Sequence, residues 1–98
     1  MKMQERIEKA LKSIEHPEIA YTLWELGMLE GIVVKEDKVL VTLKLPRVGV
    51  PIRDQLIESI KSAVKNENVY IDAEISIKEM SDEERIRFMK MAQEAWKG

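Results

Sequence analysis

The sequence predicts an α+β fold: a two-layer sandwich with helices packed on one face of a three-stranded mixed sheet, in the order α-β-β-α-β-α. Apolar and polar residues alternate from Val69 to Ile77, which is the two-residue period of a half-buried strand. The segment 39–45 has the same period. Apolar residues at helical spacing in three further segments predict helices that cover one sheet face.

The composition favours one packed domain over residues 1–98. Of the 98 residues 45% are hydrophobic, enough to bury a core at this length. The charged fraction of 35% exceeds the roughly 25% of ordinary soluble domains. Together with few aromatic residues and no cysteine, it is compatible with a thermophilic source.

Several classes of function are disfavoured. The sequence has no apolar run of 18 residues and no signal peptide, so we expect a cytoplasmic protein without a membrane partner. A net charge of −2 and few aromatic residues disfavour nucleic-acid binding. Without cysteine there is no disulfide, thiolate metal site or cysteine nucleophile, and we expect no cofactor.

The first half of the chain predicts a helix, a turn and a hairpin. An amphipathic stripe from Met3 to Ile14 ends before Pro17, because proline disfavours helical geometry in the preceding residue. A short helical turn is expected over 20–27, closed by Gly27. Strands over 29–35 and 39–45 flank a short polar break, which indicates a hairpin.

The second half predicts a crossover helix, a strand and a capped helix. Pro46 ends the second strand, and Pro51 opens a helix that runs to Val64, before a polar break at 65–68. Ser81 and Glu84 have the spacing of a capping box for the last helix. The expected core residues are Leu43, Ile57, Ile60, Ile71 and Ile75.

The last helix carries an apolar stripe with two interpretations. Met80, Met89, Met91 and Trp96 are more often core at this spacing, but methionine also suits an adaptable partner groove. Met91 lies off the main stripe, so we expect it to be the likeliest of the four to be exposed.

Three motifs in order resemble one family. His16-Pro17-Glu18-Ile19, then Glu25-Leu26-Gly27-Met28-Leu29, look like that family's acidic-Pro-Glu-Ile turn and acidic-Leu-Gly step, at the same separation. Gly49-Val50-Pro51-Ile52 looks like its Gly-Cys-Pro turn. The chain thus resembles, over residues 5–77, the PaaD/SufT-like domain, also found at the front of Mrp-type P-loop ATPases and linked to iron–sulfur protein maturation.

The departures from this pattern fall at its reactive positions. Val50 stands where the family has cysteine, and His16 where it has aspartate. Pro46, Arg47 and Val48 replace its threonine-rich step. Valine offers neither a lone pair nor a nucleophile, so the resemblance implies the fold without cluster handling through a thiol.

The resemblance implies a non-catalytic adaptor that binds a protein partner, either a P-loop ATPase or an iron–sulfur apo-protein. The expected contact residues lie around the start of the central helix and in the two earlier motifs: Glu18, Glu25, Arg47, Val48, Gly49, Val50, Pro51 and Arg53. Whether Val50 is exposed stays open. Arg47 and Arg53 would hold an acidic group, or else form a solvated pair with Asp54 nearby.

The alternative is a small accessory enzyme that uses Glu18, Glu25 and His16 on a small molecule. The two glutamates would be a general acid–base pair, but no nucleophile or phosphate loop accompanies them, and local capping is the simpler interpretation. His16 is the only histidine, and with Glu18 alone it makes a poor metal site. A turn histidine that is partly exposed is the simpler expectation.

Overall fold

The computed structural model describes residues 2–47 and 49–97 and confirms the predicted α+β class and element order. The elements are α1 (Met3–Lys12), β1 (Leu29–Val34), β2 (Lys38–Leu45), α2 (Arg53–Glu67), β3 (Asp72–Glu79) and α3 (Asp82–Ala95). Among these residues, no helix has the length and apolar character needed to cross a membrane.

The sheet is mixed, in the order β1-β2-β3. The predicted hairpin is confirmed, since β1 pairs antiparallel with β2, whereas β3 returns through α2 to pair parallel with β2. The register of β1 shifts between Glu30 and Val33, where Gly31 adopts a left-handed φ of 62°. Glycine tolerates that conformation, and the extra residue forms a bulge that interrupts this edge of the sheet.

The core lies between the sheet and the pair α1 and α2. β2 contributes its alternating apolar residues, and α1 and α2 contribute their apolar stripes: Val39, Val41, Leu43, Leu45, Ile7, Leu11, Leu56, Ile60 and Val64. Of the predicted core, Leu43, Ile60 and Ile71 are buried, whereas Ile57 and Ile75 are only half-buried. Ile75 is less covered because β3 is an edge strand.

Two helix ends differ from the prediction. α1 ends at Lys12 rather than Ile14, because the Ser13 hydroxyl donates to the Lys9 carbonyl (2.7 Å) and the Ser13 N–H turns back to Ala10. α2 continues to Glu67, three residues into the expected polar break at 65–68, with Asn68 as its C-cap. Residues 65–67 include no glycine or proline, so their polar side chains extend the solvent face of the helix before it ends.

The third strand also begins later than predicted, at Asp72 rather than Val69. The Asn68 side chain accepts a hydrogen bond from the Tyr70 N–H (2.9 Å), and the Ile71 N–H donates to the Asn68 carbonyl (3.1 Å). This turn keeps the first three residues of the predicted strand, Val69, Tyr70 and Ile71, out of the β ladder. Val69 and Tyr70 are consequently 66% and 87% exposed.

The predicted capping box at the start of α3 is confirmed: Ser81 and Glu84 satisfy each other's backbone N–H groups. Glu84 also pairs with the buried Lys44 of β2. This hydrogen bond, together with the cap, lowers the pKa of Glu84 to about 2, and it raises the pKa of Lys44. One ion pair therefore ties α3 to the end of the sheet.

Two arginines of α3 add contacts to connecting segments. Arg85 Nε donates to the Pro46 carbonyl (2.9 Å), and Arg87 Nη2 donates to the Glu25 carbonyl (3.1 Å). While α1 and α2 pack on one sheet face, α3 is thus held across the end of the sheet where β2 finishes.

Candidate functional site

An open apolar groove of about 460 Å³ lies where β2 ends and α2 begins. Three walls enclose it: the turn 16–19, the loop 46–52 and one face of α3. The lining residues are His16, Glu18, Ile19, Met28, Pro46, Val50, Ile52, Phe88, Met89, Ala92, Gln93 and Trp96. Most of these side chains are apolar, so the groove suits an apolar side chain rather than a charged ligand.

The first wall is formed by the turn with His16. The Glu18 N–H donates to His16 Nδ1 (3.0 Å), which requires the ring proton of neutral histidine to sit on Nε2. Contrary to the prediction of a partly exposed histidine, His16 is buried, because the end of α3 covers it and Lys97 Nζ donates to its carbonyl (3.3 Å). Burial lowers the pKa of His16; nearby Glu18 opposes this and Lys97 adds to it.

The second wall is the loop that joins β2 to α2. Pro46 ends the strand, and the N–H of Arg53 donates to the Val50 carbonyl (3.2 Å) where the helix starts. The N-cap residue of α2, Ile52, makes no side-chain hydrogen bond to the start of the helix. Val50 is half-buried: it packs against the core and also lines the groove. Its methyl groups therefore form part of an apolar surface that a partner can contact.

The third wall is the face of α3 that meets the turn. Phe88 and Ala92 are buried, whereas Met89 and Trp96 are 50% and 54% exposed. Trp96 pairs through its backbone with Ile19, and two backbone hydrogen bonds join the end of α3 to the same turn: Ala20 N–H to Ala95 (2.8 Å) and Lys97 N–H to Glu18 (2.9 Å). The turn and the helix end are thus held together as one unit.

Of the methionines considered in the sequence, Met80 is buried as a core residue. The prediction that Met91 would be the likeliest of them to be exposed is wrong: Met91 is half-buried against the core, and Met89 is the exposed one. Met89, Gln93 and Trp96 are spaced by four and three residues, which places them on one helix face. That spacing was visible in the sequence, but not that this face meets the turn.

The structure brings together two of the predicted contact residues, Glu18 and Val50, in the groove. Val48 lies outside the described residues. The other four in this loop are exposed but do not line the groove: Arg47, Gly49, Pro51 and Arg53.

The two arginines and the glycine can be described further. Arg53 has its Nε 3.9 Å from Asp54 Oδ1, which is the expected solvated pair. Gly49 has open space where a Cβ would stand, so the loop conformation does not require glycine there. Arg47 is exposed beside it. These residues form a polar rim next to the apolar groove.

Glu25 has a local structural role. Its carboxylate accepts the Thr22 N–H (2.9 Å), and its own N–H donates to the Thr22 hydroxyl (3.1 Å). This reciprocal cap closes the turn over 22–27, and Gly27 ends the turn in the left-handed conformation with a φ of 75°. Because Glu25 is not among the lining residues, the groove does not assemble the trio of Glu18, Glu25 and His16 required by the enzyme alternative.

The donor set does not fit an iron–sulfur cluster. Such clusters are held by cysteine thiolates, in some cases with histidine, and the sequence contains no cysteine. Within 2–47 and 49–97, no three acidic or histidine side chains cluster as a metal site requires.

Comparisons with known proteins identify the family and the fold. The family model described as iron–sulfur cluster assembly protein matches residues 4–77. The fold is similar to the crystal structure of a domain of unknown function, DUF59, from Bacillus anthracis. That match has a TM-score of 0.64 and 17% identity, and covers 93% of this chain and 88% of the other. A search of curated proteins finds no significant match.

The family match spans about three quarters of the chain and includes all three motifs around the turn 16–19, the segment 25–29 and the loop 49–52. It supports a role in the maturation of iron–sulfur proteins. The chain belongs to the family of iron–sulfur cluster assembly proteins.

Proposed function

We propose that this chain acts in the cytoplasm as a non-catalytic adaptor in iron–sulfur protein maturation. It binds a partner protein, either a P-loop ATPase of the Mrp type or an apo-protein awaiting its cluster. The partner inserts an apolar side chain into the groove, and the polar rim at Arg47 and Arg53 meets its flanking residues.

The observation that carries this proposal is the groove itself. Its lining exposes Met89 and Trp96 beside Val50, which stands in the place of cysteine in the Gly-Cys-Pro turn that this loop resembles. Half-exposed tryptophan and methionine beside an apolar depression are typical of binding surfaces, because they bury large areas on contact. Without a thiol the groove can hold a partner but not form a bond to it.

The test is a binding titration with purified partners. A Mrp-type ATPase and an iron–sulfur apo-protein from the same source are titrated by calorimetry against the wild type and Trp96→Ala. We expect Trp96→Ala to weaken binding by about 2 kcal/mol, roughly thirtyfold in Kd, because exposed tryptophans at interface centres carry much of the energy. Met89→Asp should weaken it similarly, since a carboxylate is poorly accommodated in an apolar groove.

The matched control is Ile86→Asp. Ile86 lies on α3 and is 70% exposed but does not line the groove, so its substitution should leave Kd unchanged. Melting curves verify that each variant is folded. These α3 variants are cleaner than Val50→Asp, because Val50 also packs against the core. If neither partner binds the wild type, or if Ile86→Asp weakens binding as much as Trp96→Ala, the proposal is wrong.

A further inference from the structure

The two outer strands of the sheet differ in how well their free edges are protected. β1 carries the bulge at Gly31, which twists and shortens its edge. β3 pairs with β2 without interruption over eight residues, from Asp72 to Glu79. No further strand pairs with β3 in the part of the chain that the structure describes.

The backbone hydrogen bonds tell which groups of β3 face its free edge. At the two ends of this ladder, the Asp72 N–H donates to Asp37 (3.2 Å) and the Met80 N–H donates to Leu45 (2.8 Å). Both donors have even numbers, and in a parallel ladder the donors of one strand recur at every second residue. The N–H and carbonyl groups of the odd residues therefore point away from β2: Ala73, Ile75, Ile77 and Glu79.

Side-chain exposure agrees with an open edge. The face of β3 that points away from α2 is exposed to solvent. Its side chains Asp72, Glu74 and Lys78 are 77%, 60% and 64% exposed. Ala73, Ile75 and Ile77, which face α2, are only half-buried at the rim of the core. A strand added at this edge would form hydrogen bonds with the free N–H and carbonyl groups of β3, and it would cover the half-buried Ala73, Ile75 and Ile77.

The sequence of β3 is complementary to itself when run antiparallel. The odd residues carry the free N–H and carbonyl groups, so an odd residue of one copy must lie opposite an odd residue of the other copy to form hydrogen bonds. The residue numbers of two opposite residues therefore have an even sum. If Ile75 sits on the twofold axis, Asp72 of each copy lies opposite Lys78 of the other copy, and Glu74 lies opposite Ser76. If Glu74 sits on the axis, it faces its own copy, and like charges directly opposite are unfavourable.

A centre at Ser76 places Glu74 opposite Lys78 and leaves Asp72 outside the paired segment, but it also places Ala73 opposite Glu79, whose carboxylate already pairs with Arg85 of its own chain (3.2 Å). The Ile75 centre pairs residues 72 to 78 and leaves Glu79 outside the paired segment. The exposed Tyr70 then lies beyond the end of the opposite β3, near Lys78 of the second copy.

We propose that two copies of this chain associate through β3, antiparallel and centred on Ile75, to form a continuous six-stranded sheet. The interface uses no residue of the groove, so each copy keeps its own partner-binding face. The pairing is isologous, as in most homodimers, because the same edge serves both copies. Asp72 would then lie between Lys65 of its own chain (2.7 Å) and Lys78 of the second copy.

The test measures the dimer dissociation constant of the full chain by sedimentation equilibrium over a range of concentrations. Asp72→Lys should weaken the dimer about tenfold, because the twofold axis repeats each reversed pair. Lys78→Asp should do the same, and the double variant that carries both changes should return to the wild-type constant. Because Asp72→Lys also loses the pair with Lys65 and Lys78→Asp the pair with Glu30 within each chain, only this rescue assigns the effect to the contact between copies.

Two further variants sharpen the result. Ala73→Pro removes an N–H that points to the free edge and none that bonds β2, so it should abolish the dimer while the chain stays folded. Glu94→Lys changes the net charge equally on α3 and should have no effect.

A chain that stays monomeric at all concentrations overturns the proposal, as does a dimer that survives Ala73→Pro. A dimer weakened by Glu74→Lys but not by Asp72→Lys overturns the Ile75 centre. Binding of the groove partners is measured separately, so failure here leaves the proposed function to be judged by its own titration.

Discussion

At the scale of a residue, the protonation state of His16 decides whether one hydrogen bond of the groove wall can form. Its Nδ1 accepts the Glu18 N–H, and this bond exists only while Nδ1 carries no proton. Burial makes the charged ring costly and lowers the pKa. The turn that forms one wall of the groove is therefore held by a neutral imidazole.

We predict that the free energy of unfolding decreases as the pH falls below about 6.5, the pKa of histidine in unfolded chains. The folded pKa is lower, so between the two values the unfolded chain binds more protons and acid favours unfolding. Above this window the stabilisation is fully present. Urea denaturation across the window measures it.

The control for this prediction is His16→Asn, because the asparagine Oδ1 occupies nearly the position of Nδ1 and still accepts the Glu18 N–H. The pH dependence of this variant should be flatter in the same window. Equal slopes for the wild type and His16→Asn would mean that His16 does not carry the effect.

The burial of His16 was not predictable from neighbouring residues. A turn beside Pro17 ordinarily faces solvent. Here the end of α3, about 80 residues later in the chain, covers the turn through Trp96 and Lys97. Glu25 was the opposite case: its cap uses Thr22, three residues away, so the local interpretation was correct.

At the scale of an element, local signals predicted what local contacts decide. The capping box at the start of α3 and the hairpin of β1 and β2 both formed as expected. One error arose where a polar segment was taken as a break, because the segment 65–68 has two charged side chains and two asparagines but no glycine or proline. The late start of β3 depends on the Asn68 side chain, which competes with the strand ladder for the Tyr70 N–H.

The capping box leads to a prediction about α3. Ser81→Ala should reduce the free energy of unfolding by about 0.5–2 kcal/mol, because the Glu84 N–H loses its acceptor at 3.2 Å. Denaturant titration of the whole chain measures the change. Ser62→Ala is the control, since Ser62 lies exposed inside α2, where alanine is at least as favourable for a helix.

Ser81→Ala should also make the third wall of the groove less ordered, because α3 forms that wall. A loss of stability equal to that of Ser62→Ala would show that the cap does not hold the helix.

At the scale of the whole molecule, the groove is formed by two parts of the chain, one inside and one outside the region matched by the family model. The turn and the loop belong to the region matched by the family model, which ends at residue 77, whereas α3 begins at Asp82. The motifs therefore pointed to Val50 and Glu18, which do share the groove. They did not point to Phe88, Met89 or Trp96, because those positions depend on where α3 crosses the sheet end.

The side chains that line the groove also explain why we do not expect the chain to hold an iron–sulfur cluster. Val50, which stands in the place of cysteine in the turn that this loop resembles, lines the groove but offers only methyl groups. His16 is buried with Nδ1 already occupied, and Glu18 is the one carboxylate among the lining residues. A cluster needs several soft ligands that converge on one point, and these donors do not supply them.

We therefore predict that anaerobic incubation with ferrous iron and sulfide leaves no protein-bound visible absorbance after desalting, because the chain has no thiolate to hold a cluster. Val50→Cys is the informative comparison: its thiol should react with a maleimide, since position 50 is half-exposed, yet one thiol per chain should still fail to retain a stoichiometric cluster. A stable chromophore on the wild type, at one cluster per chain or per pair of chains, would contradict the prediction. It would require oxygen or nitrogen ligands from more than one chain, and the adaptor proposal would then have to include the cluster itself.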